Sequence, residues 1–188
     1  MRPSDLLPVI RPVQFWQGFE TAAEIEKRPE LEPLEFGFSP NLSVFLSAQE
    51  NDFLRYVTFA DASSLGLSAE EAQDQAITNL NGVEHWFSVT QNSDNFFSVQ
   101  ISRDGNLDHR GASALLLRRF WQEIASRDRR PLLSMAPNRE WVNFFHLSSP
   151  GSLEGTRRAA RLAYDDEEDA FKLSPELFRW DKDRWCVA

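Results

Sequence analysis

Three histidines, His85, His109 and His146, are the side chains whose ordinary pKa suits proton transfer at neutral pH. None stands in a Gly-x-Ser-x-Gly, His-Glu-x-x-His or nucleophilic-cysteine context, so neither a hydrolytic triad nor a zinc-protease site has a local signature. The densest grouping is Asp104-Gly105-Asn106-Leu107-Asp108-His109. Asp104, Asp108 and His109 lie close enough in sequence to converge at a helix start, as the carboxylate and histidine cluster of a small hydrolase or nucleotide-processing enzyme. The opening Asp-x-Asn-x-Asp also matches the start of a calcium loop, where alternate oxygens face a hard cation. The rest of that motif fails, because position six is His109 instead of glycine and position twelve is Leu115 instead of glutamate. A plain turn leading into a helix is the competing reading, and no metal is expected.

Arginine is the second chemistry-bearing residue, making up 17 of the 20 basic side chains. Arg157, Arg158 and Arg161 share one predicted helix and suit phosphates or an acidic partner, since the guanidinium fork meets planar oxyanions with two bonds. Against this, Glu154 and Asp165 stand four residues from Arg158 and Arg161 and would pair them off as a solvated face. Arg139 sits in a turn where it can clamp a carboxylate of the chain or of a ligand, and Trp141 beside it marks an interface if it is exposed. Arg118, Arg119, Arg129, Arg130 and Arg157 form a candidate nucleic-acid surface. The net charge of −9 repels polyanions at long range, so nucleic acid is not an expected partner. Residues 111–161 are the local exception, at +5. The eight glycines are scattered singly, which leaves no phosphate-cradling loop, and no cofactor is expected.

The elements that position these residues follow from periodicity. Six prolines fall in the first forty residues and read as an N-terminal arm over 1–40, with a short helix from Phe15 to Lys27. Leu42–Leu46 and Phe53–Phe59 read as a hairpin. Ser68-Ala69-Glu70-Glu71 is a capping box that starts a helix running to Asn81, ended by left-handed Asn81-Gly82. Trp86–Val89 pairs with Phe96–Ile101, and a helix follows over about 112–127 with Leu116, Leu117, Phe120, Trp121 and Ile124 as its apolar stripe. Pro131–Ala136 and Trp141–His146 form a third strand pair, Leu153–Tyr164 a third helix, and Leu177–Trp180 with Arg184–Val187 a last hairpin. The acidic run Asp165–Asp169 reads as a solvated loop. This ββα rhythm predicts an α+β fold, a mainly antiparallel sheet with about three helices packed on it, as a single domain over 41–188.

The helix from Leu67-Ser68-Ala69-Glu70-Glu71 to Asn79-Leu80, the stretch from Ala114-Leu115-Leu116 to Phe120-Trp121, the turn Met135-Ala136-Pro137-Asn138-Arg139-Glu140 and the tail Leu173-Ser174-Pro175-Glu176-Leu177-Phe178 together resemble the YtpQ-like family of uncharacterised bacterial proteins. The likeness spans roughly residues 40 to 182 and departs from the family at Glu140, where an aspartate is expected. It implies an α+β fold and a bacterial cytosol. It brings no activity and no catalytic residue.

At 188 residues and 41% hydrophobic composition the chain can bury a sizeable core, and its 15 Phe and 6 Trp supply large areas per side chain. No run approaches eighteen apolar residues and the first residues lack a secretory apolar stretch, so a cytoplasmic protein without a membrane partner is expected. Cys186 stands alone and can form no internal disulfide. Acidity, aromatic content and the missing catalytic signatures point to a non-enzymatic protein-binding domain, such as an adaptor or an acidic immunity or inhibitor protein covering a basic toxin or enzyme. The carboxylate and histidine enzyme is the alternative.

Overall fold

The computed structural model describes residues 1–13, 15–18, 27–50, 53–103, 106–107, 110–149, 152–166 and 172–188. It shows an α+β fold with two antiparallel sheets. The chain divides into two compact units, Met1–Val83 and Glu84–Ala188.

Unit 1 is built around strand β3 (Leu42–Glu50), paired on one side with β1 (Leu6–Pro12) and on the other with β2 (Glu35–Gly37) and β4 (Phe53–Tyr56). Leu42 to Ala48 are all buried, because both faces of this strand are covered and a strand covered twice reads as a continuous apolar run. One face carries Leu6, Leu46 and Ala48 against Ala62 of α1 (Phe59–Ser64) and Ala72 and Ala76 of α2 (Ala69–Gly82). The other carries Val9 and Phe45 against Trp16 in the 3-10 turn Phe15–Gly18, with Phe15 edge-on to Phe45 at 4.7 Å.

Residues expected to form an N-terminal arm thus supply β1 and β2 of the sheet, and unit 1 ends at Val83. The prolines fit because β1 is an edge strand. The Val13 amide donates to the Asn41 carbonyl at 3.1 Å, so odd-numbered residues carry the ladder bonds while Pro8 and Pro12 occupy even positions that lose none. Of the predicted helix over 15–27, Phe15–Gly18 is a short 3-10 turn, and 19–26 lie outside the described residues. The Ser68 hydroxyl accepts from the Glu71 amide at 3.2 Å and the Glu71 carboxylate accepts from the Ser68 amide at 2.7 Å, which completes the capping box at the start of α2. The helix runs through Gly82 without a left-handed residue; Gly66, at φ 72°, is the described left-handed glycine.

The strands of unit 2 are β5 (Phe87–Ser93), β6 (Phe96–Arg103), β7 (Asn106–Leu107), β8 (Leu132–Met135), β9 (Trp141–His146), β10 (Leu177–Asp181) and β11 (Arg184–Val187). They form a seven-stranded sheet in the order β11-β10-β8-β9-β6-β5, with β7 beside β6. Hairpins β5–β6, β8–β9 and β10–β11 match the predicted pairs. Lys182, at φ 59°, makes the last turn. Helix α4 (Leu153–Asp165) matches the predicted third helix and packs Ala160 with Leu133, Met135 and Leu177 on one face of the sheet.

The helix predicted over about 112–127 is broken in two. Gly111–Leu116 is a buried 3-10 turn, and α3 (Arg118–Ser126) starts only after Leu117, whose ψ of 73° lies outside the helical range. The Trp121 indole N–H donates to the Ala114 carbonyl at 2.6 Å and occupies an acceptor that a continuous helix would use. Trp121 is fully buried and meets Phe144 and Trp185 edge-on at 5.2 and 5.0 Å, which fastens α3 to the sheet.

Candidate binding site

Asp104, Asp108 and His109, the candidate catalytic residues, lie outside the described residues. Among the described residues no group of His, Cys, Asp and Glu is arranged to hold a metal ion. No helix among them is long and apolar enough to cross a membrane.

The turn at Arg139 is built into the fold. Asn138 is buried and its Oδ1 accepts from the amides of Glu140 at 3.0 Å and Trp141 at 3.3 Å, while the carbonyls of Pro137 and Ala136 accept from the amides of Leu173 and Ser174. The Arg139 carbonyl accepts from the Ala112 amide at 3.0 Å. Gly111 presses so closely on this turn that an added Cβ would lie 1.6 Å from the Glu140 carbonyl oxygen, so a side chain there is excluded. The residues that carry the family resemblance in the 135–140 and 173–174 segments therefore meet in one hydrogen-bonded junction. Arg139 and Trp141, both half-buried, belong to its rim and not to the face formed by the other candidate arginines.

Arg157, Arg158 and Arg161 do come together. They line a depression of about 480 Å³ with Glu154, Glu176, Pro175, Leu177 and Val187. Arg157 donates to Glu154 at 3.3 Å and to the Ala188 carbonyl at 3.1 Å, and Arg161 stands 4.0 Å from Asp165. The pairing expected of Arg158 with Glu154 is replaced by the Arg157 pair, which leaves Arg158 exposed with no ion pair among the described residues. Exposed pairs of this kind contribute little stability, so two of the three arginines are held only loosely.

Two further depressions flank the turn 127–131; the sequence marks Arg129, Arg130 and His146 singly but not the surfaces they share. One, of about 430 Å³, is lined by Arg129, Arg130, Pro131, Leu133, Leu147, Ser148, Ser149, Leu153 and Arg179. The other, of about 330 Å³, places His146 with Asp94, Asn95, Asp128 and Phe144. His146 Nδ1 lies 3.2 Å from the Arg130 carbonyl, an acceptor, so the proton sits on Nδ1. The Asn95 side-chain amide donates to the His146 carbonyl at 2.5 Å and ties β9 to the β5–β6 turn. Asp128 accepts from the guanidinium of Arg130 at 2.6 and 2.9 Å and from its amide at 2.9 Å; these bonds hold the carboxyl down to about 2, below its ordinary 3.8. The available sequence signal was Asp128-Arg129-Arg130-Pro131, a charged turn directly before a buried strand.

Charge separates the two units. Unit 1 has 5 basic and 13 acidic residues, net −8, whereas unit 2 has 15 and 16, net −1. In unit 1 Asp5 pairs with Arg2 at 3.0 Å, Glu30 with Arg28 at 2.9 Å and Asp61 with Arg55 at 2.6 Å, and Arg11 is buried against the Tyr56 hydroxyl at 3.0 Å. Glu70 and Asp74, one turn apart on the exposed side of α2, enter no ion pair among the described residues. The helix N-terminus favours Glu70, but Asp74 lies beyond the first turn and repels it. No protein-family model, no curated protein and no solved structure matches this chain.

Proposed function

We propose that the chain is a non-enzymatic protein-binding domain of the adaptor or inhibitor kind, which presents the acidic surface of unit 1 to a basic partner. The partition of charge carries this reading: nearly all of the −9 resides in unit 1, where Arg2, Arg28 and Arg55 are already paired and Arg11 is buried, which leaves Lys27 as the one exposed cationic side chain without an ion pair among the described residues. Unneutralised Glu70 and Asp74 raise the negative potential along α2, and a basic partner would relieve their repulsion while gaining long-range attraction.

The test is capture from native lysate at low and moderate salt, with the wild-type chain and a Glu70→Lys, Asp74→Lys variant as parallel baits. A basic protein held by the wild type at low salt, weakened by moderate salt and lost from the variant supports the proposal. A partner retained equally by both baits, or none at either salt, overturns it.

A further inference from the structure

The depression of about 430 Å³ in unit 2 combines two kinds of lining. Its floor is Leu133, Leu147, Leu153 and Pro131, and its rim is Arg129, Arg130 and Arg179 with Ser148 and Ser149. Leu133 and Leu147 belong to the buried cluster under α4, and Leu153 packs against it, so the floor is continuous with the core. Arg179 on β10 stands across from Leu133 on β8 in the strand register, which fixes the backbone of one rim residue relative to the floor.

The three guanidiniums are not equivalent. Arg130 is neutralised by the two bonds from its side chain to Asp128. Arg129 and Arg179 are exposed and make no ion pair among the described residues, so they bring two uncompensated positive charges to the edge of an apolar floor. A cation is repelled by this rim. A bare inorganic anion pairs with the arginines but leaves the floor wet, and an uncharged hydrocarbon fills the floor without using the rim. A carboxylate on a hydrocarbon tail uses both, because its planar oxygens match the guanidinium fork and its tail displaces water from the leucines. A phosphate monoester offers the same tail, but its second charge is more strongly hydrated and is costlier to bring against an apolar surface. The geometry points to a binding site for a small aliphatic carboxylate, its tail on Leu133, Leu147 and Leu153 and its head between Arg129 and Arg179. This site is independent of the acidic surface of unit 1.

Amide NMR titrations of the full chain with octanoate, octanol, acetate and octyl phosphate test it. Octanoate is expected to saturate, shift the amides of Leu133, Leu147 and Leu153, and bind about ten-fold or more tightly than octanol or acetate, the difference that one well-placed charged contact supplies. Arg129→Gln with Arg179→Gln, both exposed and expected to leave the fold intact, should weaken octanoate about ten-fold and leave octanol unchanged. Equal affinity for octanol and octanoate, shifts confined to other residues, or undiminished octanoate binding by the folded double variant overturns the site. Tighter binding of octyl phosphate than of octanoate overturns the carboxylate assignment.

Discussion

In unit 1 the helix α2 meets its sheet through Ala72 and Ala76 lying on Leu6, Leu46 and Ala48, whereas in unit 2 α3 meets its sheet through Trp121 set among Phe144 and Trp185. Alanines let the helix axis approach closely and spread the contact over many small groups. A buried indole concentrates the contact in one side chain that also breaks the preceding helix through its N–H bond to Ala114. The electrostatics divide the same way. Unit 1 is acidic with a scant supply of cations, and unit 2 is nearly neutral with its arginines gathered around depressions. Distributed packing tolerates a charged outer helix face; concentrated packing leaves stability vulnerable at single positions.

Truncating the concentrated contact should have the largest effect. Trp121→Ala is expected to destabilise the protein by about 3–5 kcal/mol in urea unfolding, against about 1 kcal/mol for Ala72→Gly in α2. Similar losses from the two changes would break the contrast between the units. Hydrogen exchange sharpens it, since Trp121→Ala should lower protection in β8 to β11 more than in β1 and β3.

Gly111→Ala comes next. Its Cβ must displace the Glu140 carbonyl, a backbone atom that cannot rotate away, and a cost of about 1–3 kcal/mol or more is expected in the same unfolding experiment. A neutral Gly111→Ala would show that the junction of the 3-10 turn with the 138–141 turn is loose.

Removing the cap of α2 by Ser68→Ala should cost about 1 kcal/mol and be largely restored by Ser68→Asp, because the lost group is one acceptor for the Glu71 amide. Failure of the aspartate to restore stability would point to packing of Ser68 instead.

The smallest effect is at Asp128. Bonds from Arg130 lower its carboxyl from 3.8 to about 2, so whatever the ion pair contributes is fully present above pH 3.8 and is lost as the pH falls through about 2. A ¹³C carboxyl titration should place the midpoint near 2, and Arg130→Ala, which removes the guanidinium bonds but keeps the amide of residue 130, should move it part of the way back toward the ordinary aspartate range. An unchanged midpoint in that variant would assign the depression to another group. The measurement also reports whether Arg130 stays neutralised at the rim of the carboxylate site.

Much of the fold was legible because its signals are local. Ser68 and Glu71 carry a reciprocal pair of hydrogen bonds within four residues, and the hairpins at 87–103, 132–146 and 177–187 are bounded by turn residues. Features set by distant partners were hidden. Pro8 and Pro12 argue against a strand unless it is known to be an edge, and the break at Leu117 depends on where the Trp121 ring is buried. The boundary at Val83 is equally silent, since no run of linker residues marks it. Of the candidate site, the sequence placed Arg157, Arg158 and Arg161 on one helix, as the helical period requires. The depression at Arg129 and Arg179 joins a turn, two strands and a helix some fifty residues apart in sequence, which no periodicity reveals.

Carbodiimide crosslinking of the complex captured at low salt tests the acidic docking surface most directly, because it joins carboxylates to lysines only where the two are in contact. Bonds from partner lysines to Glu70 or Asp74, diminished as salt is raised, are the predicted result. Crosslinks confined to carboxylates of unit 2, or a yield independent of salt, would contradict it.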